Sequence, residues 1–189
     1  MRPVRKRATY QDLIDLPEHV VGEIIEGDLY ASPRPASPDA RAAAAITSDL
    51  FSNFDGPPGD RGIAGGWWIL AEPELHFGAD VLVQDLAGWR RERMPQMRSV
   101  AYFQLAPDWV CEVSSPSTAR LDRDRKLHVY AREGISHCWI VEPLERKLEV
   151  LRLDSNRWAL ITMHAGNESV RAEPFEAIEL DLGRWWLDA

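Results

Sequence analysis

Apolar residues recur along this chain in two periods, and the switches between them set out its elements. A short helix is predicted over 9–16, with Thr9 as its N-cap and Asp12 three residues on. Residues 20–30 alternate weakly and carry Gly27-Asp28, a turn signal between the strands of a hairpin. Three prolines mark 32–38 as a loop. The alanine-rich stretch 39–54 repeats its apolar residues at helical spacing, with Ile46, Leu50, Phe51 and Phe54 on one face. A Gly/Pro loop over 55–66 leads into strand-like runs at 67–70, 74–77 and 81–86. Residues 88–100 are basic, lack a clean period and read as an exposed loop.

The second half opens on the apolar run 109–113, which fits a buried strand. A polar loop over 114–120 precedes a helix at 122–133, closed by Gly134 in the left-handed position beyond its C-terminus. A strand follows at 138–141. Strand, helix, strand is a crossover unit, parallel and right-handed if both strands share a sheet. A hairpin, 147–153 with 157–162, turns at Asp154-Ser155-Asn156, and a last short strand is predicted over 176–182. The sum is a mixed sheet flanked by helices, α/β or α+β. No repeat, low-complexity tract or linker divides the chain, so 1–189 is read as one domain.

Composition narrows the class. With 189 residues, 45% of them hydrophobic, the chain has room for a substantial core. No apolar run approaches the roughly 20 residues that span a bilayer. The basic start, Met1-Arg2-Pro3-Val4-Arg5-Lys6-Arg7, is followed by no apolar signal core, so no secretion signal is read there. Cys111 and Cys138, the only cysteines, sit in apolar runs as buried thiols, and the expected compartment is cytoplasmic. The net charge of −8 argues against passive coating of DNA. It leaves room for an acidic metal site beside a local basic patch, with Arg90, Arg91, Arg93 and Arg98, then Arg120, Arg123 and Arg125, as candidates. A solvated surface explains those clusters equally well. Trp67, Trp68, Trp109 and Trp139 fall in strand runs and are assigned to packing rather than base stacking.

Candidate chemistry centres on Asp85, Glu112 and Lys126. Asp85 closes an apolar run, and Glu112 lies within another between Cys111 and Val113. A carboxylate inside an apolar strand costs free energy unless it is paired. A divalent cation is one partner, and two carboxylates with a lysine form a nuclease-like set: Mg²⁺ or Mn²⁺ activates water and neutralises the phosphate, while lysine steadies the transition state. Simpler roles exist. Asp122 and Lys126 are four apart, acid first, as in a surface ion pair, and Asp85 suits a turn cap before Gly88. There is no G-x-S-x-G, H-E-x-x-H or C-x-x-C, and the five histidines are scattered.

The stretch Pro107-Asp108-Trp109-Val110-Cys111-Glu112-Val113-Ser114-Ser115-Pro116-Ser117-Thr118, with Asp122, Lys126-Leu127, Tyr130, Gly134, Trp139-Ile140-Val141 and Pro143 beyond it, resembles the Uma-type "putative restriction endonuclease" family of the PD-(D/E)XK nuclease superfamily. Glu23-Ile24-Ile25-Glu26-Gly27-Asp28-Leu29 resembles that family's N-terminal hairpin signature. The resemblance implies a restriction-endonuclease-like mixed sheet with flanking helices and extra hairpins. It implies an Mg²⁺- or Mn²⁺-dependent DNA endonuclease with Asp85 and Glu112 as metal ligands and Glu23 near the site. Ser114 stands where the motif lysine would be, which passes that role to Lys126. Two positions depart from the family pattern. Gln84 replaces the proline before the aspartate, and Asp39 stands where a histidine is common; Asp39 is also an ordinary N-cap candidate. These departures, with the acidic charge, motivate a rival in which the site has decayed and the fold serves as a nucleic-acid or protein binding module. A hydrolase of another phosphate ester is a third reading. Edge strands in the C-terminal hairpins point to a homodimer.

Overall fold

The computed structural model describes residues 7–187, and the basic segment 1–6 lies outside them. The first helix, α1 (Tyr10–Ile14), starts as predicted: the Thr9 N–H donates to Asp12 Oδ2 at 2.7 Å. Strands β1 (Val20–Ile25) and β2 (Asp28–Pro33) form the first hairpin, with Ile25 opposite Asp28. The turn is Glu26-Gly27, one residue earlier than expected, and both residues are left-handed, φ 55° and 87°. Helix α2 (Ser37–Phe54) begins two residues before the sequence pattern suggests, because Pro38 fits a first turn that needs no N–H. Its N-cap is Ala36, not Asp39. Its buried face is Ala42, Ile46, Leu50 and Phe54, while Phe51 is 54% exposed.

The run expected as one strand over 81–86 is two. β4 (Glu74–Phe77) and β5 (Asp80–Val83) join β1 and β2 in a four-stranded sheet ordered β2-β1-β5-β4. The chain then changes sheets at Gln84-Asp85. β6 (Leu86–Arg90) pairs instead with β3 (Trp67–Ala71) in a six-stranded sheet. The supposed loop over 88–100 therefore begins as strand, with Gly88 and Trp89 buried. Gly88 is the clue that misleads. A Cβ there would sit 3.2 Å from Trp67, Trp109 and Ile69 side-chain atoms, so glycine is a packing requirement and not a loop signal.

β7 (Trp109–Val113) and β8 (His137–Glu142) pair in parallel at the centre of the larger sheet, as the crossover pattern predicts. β9 (Lys147–Asp154) and β10 (Arg157–Ala165) complete the order β10-β9-β8-β7-β6-β3. A small pair, β11 (Ser169–Val170) with β12 (Leu180–Asp181), replaces the single strand expected over 176–182. The crossover helix, α3, runs as α turns at Ala119–Leu121, a π segment at Asp122–Lys126 and α turns at Leu127–Arg132. Gly134 follows at φ 72°, the expected left-handed stop.

Both faces of the large sheet are covered, which explains why β7 and β8 read as unbroken apolar runs. On one face Trp109, Cys111, Val113, Trp139 and Val141 pack against α2 and the C-terminal segment. Phe175 is the hub of that layer, its ring centroid 4.7 Å from Phe54, 4.9 Å from Trp67 and 5.0 Å from Trp109. On the other face Val110, Cys138 and Ile140 pack against α3 residues Val129 and Tyr130 and against Ile25, Leu75 and Leu82 of the small sheet. Glu112 shares the parity of Val110, so the alternation of β7 aims a carboxylate into this second layer. Both cysteines are buried and unbonded to each other. Among the described residues no helix is long and apolar enough to cross a membrane.

Candidate functional site

The site forms where the two sheets meet α3. Register places Leu86 opposite Cys111, which brings Asp85, just before β6, beside Glu112 on β7. The Val113 N–H donates to Asp85 Oδ2 at 2.7 Å and fixes that carboxylate at the seam. From the small sheet, Glu23 of β1 accepts the Val83 N–H at 2.9 Å. From the helix, Lys126 reaches into the space between: its Nζ lies 2.8 Å from Glu112 Oε2, 3.2 Å from Glu23 Oε1 and 3.2 Å from the Val83 carbonyl. Asp85, Glu112, Lys126 and Glu23, singled out from the sequence, thus line one cleft of about 140 Å³, with Asp39 and Asp122 also on its wall.

Three partners in the cluster carry no assigned role in the sequence. Tyr130 donates its hydroxyl to Glu112 Oε1, and the same hydroxyl accepts from Gln84 Nε2 at 3.0 Å. Tyr130 stands one helical turn beyond Lys126, so the i, i+4 spacing was a usable signal. Ser114, at the vacated motif-lysine position, donates to Asp122 Oδ2 at 2.7 Å. Asp122 and Lys126 are each 3% exposed, 3.7 Å apart, so their pair is buried and is not the surface ion pair that spacing also allowed. The π segment that contains both residues alters their phase on the helix; such turns recur at functional sites.

Electrostatics follow from one ammonium among four carboxylates, Glu23, Asp85, Glu112 and Asp122. Burial lifts the Asp85 carboxyl to about 6, against the pull of Lys126 and the Val113 N–H. Burial likewise pushes Glu112 well above the usual carboxylate range, although Lys126 opposes the shift. For Lys126 burial disfavours charge, but Glu112 and Glu23 outweigh it and hold the ammonium well above its ordinary value. Asp39 is raised by burial, against a backbone hydrogen bond from the α2 entry. The lysine is therefore a fixed cation, and its charge alone does not balance the carboxylates. Among the described residues the buried Gln84 Oε1 has no hydrogen-bond partner, and Gln84 lines the cleft.

The arginines proposed as a basic patch do not line the cleft. Arg90 to Arg93 lie at the opposite end of β6 from Asp85, and each has structural work. Arg90 stacks over Trp67 at 4.5 Å, and Arg91 over Trp68 at 3.2 Å while pairing with Asp55 at 3.1 Å. Arg93 pairs with Asp108 at 2.8 Å. Arg123 is held by Glu149 at 2.7 Å and Glu142 at 3.0 Å. Arg120 pairs with Asp124 and Arg125 with Glu26.

No curated protein matches the chain. Among solved structures it is similar to a crystal structure titled as a putative nuclease belonging to DUF820 from Anabaena variabilis ATCC 29413, at a TM-score of 0.72 and 20% identity, covering 95% of this chain and 99% of that one. That likeness shows a shared fold. The model of the family Uma2, "Putative restriction endonuclease", matches residues 8–183, a span that takes in both sheets, α3 and every residue of the cleft. The chain belongs to the Uma2 family.

Proposed function

We propose that the protein is a metal-dependent DNA endonuclease whose site is Asp85, Glu112 and Lys126, with Glu23 beside them. One observation carries the reading: strands from both sheets and a π-distorted helix bring the half-buried Asp85, the buried Glu112 and a buried lysine to a single solvent-reached cleft. Buried charges away from the cleft, such as Asp80 and Asp108, are each paired with an arginine, whereas here one lysine faces several carboxylates, and that concentration suits chemistry better than packing.

The donor set fits a hard divalent cation. It is all oxygen, it carries surplus negative charge, and Gln84 Oε1 lacks a partner among the described residues. Among the described residues no group of three or more His, Cys, Asp or Glu is gathered as a formed metal site. Mg²⁺ commonly uses one or two carboxylates and keeps its remaining waters, so Asp85 and Glu112 are a sufficient protein contribution. When bound, the cation would supply Lewis acidity and a more acidic water. The chain's own residues do the rest. The Val113 N–H orients Asp85, and the Tyr130 hydroxyl orients Glu112. Lys126 stays protonated, so it steadies the attacking water and the developing phosphate charge by donating hydrogen bonds and does not act as a base.

The test is nicking of supercoiled plasmid with Mg²⁺, with Mn²⁺ and with chelator, beside Glu112→Gln. Metal-dependent nicking should fall by about a hundredfold or more in the variant. Cleavage that survives Glu112→Gln, or that ignores chelator, sinks the assignment. A second reading, a binding module with a decayed site, draws on Glu112 being already satisfied by Lys126 and Tyr130 and on the Gln84 and Asp39 departures. Calorimetric titration with Mn²⁺ separates the two: the module predicts no heat of binding. The same proposal includes a homodimer, so that two clefts act on the two strands of a duplex.

A further inference from the structure

We infer that Arg34 is the phosphate-anchoring residue of this protein, holding a nucleic-acid strand where it leaves the acidic cleft. The inference rests on the nuclease reading and adds the residue that would let so acidic a site accept a polyanion.

A cleft walled by Glu23, Asp85, Glu112 and Asp122 repels phosphate unless a cation meets it at the rim. Lys126 is buried deep in the cleft and cannot reach a strand beyond it, and among the described residues Arg34 is the one other basic residue on the cleft wall. It also lines a second, open cavity that runs over α1, and the two cavities share Val21, Arg34, Glu72 and Val83. Arg34 thus stands at the junction of a groove continuous with the site.

Its own bonding leaves the guanidinium available. Arg34 is exposed, donates one long hydrogen bond to the Glu18 carbonyl at 3.4 Å, and pairs with no carboxylate among the described residues. Arg91, Arg93, Arg120, Arg123 and Arg125 are all committed to acidic partners. The backbone beneath Arg34 is stiff. It sits between Pro33 and Pro35, whose rings fix φ and hold the intervening residue extended. A cation on a rigid rim, with most of its donors free to fork onto phosphate oxygens, is what backbone recognition requires.

The experiment measures binding of a short fluorescent duplex across a range of salt, in the full chain carrying Glu112→Gln so that cleavage does not compete. Arg34→Ala added to that background should weaken binding by about tenfold and reduce the slope of log affinity against log salt by about one. Arg34→Lys should keep the slope and recover part of the affinity. Arg157→Ala, an exposed arginine on β10 away from the cleft, should change neither. An unchanged unfolding midpoint in Arg34→Ala establishes that the fold is intact. Arg34→Ala with the parent's affinity and slope overturns the inference and leaves the nuclease reading standing. An equal loss in Arg157→Ala also overturns it, since the effect is then bulk charge. A parent that binds no duplex removes the nuclease reading and the inference together.

Discussion

Lys126 concentrates the cost and the purpose of this site in one residue. Its ammonium lies within 4 Å of three carboxylates in a pocket where it is 3% exposed. Removing one partner of a buried charge cluster costs roughly 3–5 kcal/mol, because the remaining charges are left uncompensated. Lys126→Met should lower stability by about that amount in urea denaturation, and more at neutral than at acid pH, where the carboxylates protonate. Asp85 has a separate signature. Its carboxyl rises from 3.8 to about 6 on folding, so between those values the native state holds a proton that the unfolded chain has lost. Stability of the metal-free protein should therefore fall as pH rises from about 4 to about 6, by roughly 3 kcal/mol from this group, and stay lower above it. Asp85→Asn should flatten that part of the profile; an unaltered pH profile in chelator would remove this account of Asp85. At this scale the sequence was legible where a charge broke an apolar run, as at Glu112. Tyr130 and Gln84 were harder to read as site residues, since a phenol and an amide blend into apolar surroundings and only the i, i+4 spacing from Lys126 points to Tyr130. The Asp122–Lys126 spacing showed a pair, but spacing carries no information on burial.

Among the elements, the long periodic ones were readable and the changes of sheet were not. Helix α2, strands β7 and β8 and the β9–β10 hairpin follow from periodicity, because each has one dominant burial pattern along its length. The apolar run 81–86 hid a break because Val83 and Leu86 are both strand residues, each in a different sheet. Only the polar pair Gln84-Asp85 marks the crossing, and the site sits at that crossing. Apart from the short strand expected over 176–182, the C-terminal segment offered no pattern, because Phe175, Trp185 and Trp186 fill the core from irregular backbone, where no period exists to detect. β6 offers a direct check on this packing. Gly88→Ala would press a methyl against Trp67, Trp109 and Ile69 at 3.2 Å, inside a layer with no slack. The variant should lose about 1–3 kcal/mol, read as a lower urea midpoint. A neutral result would mean that β6 does not thread between the two tryptophans as described.

For the molecule as a whole, the unresolved balance is between a sealed sheet and an open one. At one end of the six-stranded sheet, β3 is bridged by Asp55 and Gly56; in the smaller sheet, β4 is bridged through Leu75 and Phe103. β10 has no such cover among the described residues, and it leaves Leu160 56% and Met163 59% exposed. Its bulge between Leu160 and Thr162 breaks the edge into short runs, which guards against open-ended strand addition. Two exposed apolar side chains beside such a bulge favour a closed, two-fold contact over a continuous ladder. The proposed homodimer should therefore form through β10, and sedimentation of Leu160→Glu with Met163→Glu should report a monomer that keeps the parent's circular dichroism. The functional consequence separates this face from any other. On the proposed nuclease reading, a dimer would present two clefts to a duplex and linearise plasmid, whereas the monomeric variant, with Asp85, Glu112 and Lys126 untouched, should nick single strands and accumulate open circles. A parent that already sediments as a monomer, or a double variant that stays dimeric, places the contact elsewhere or removes it.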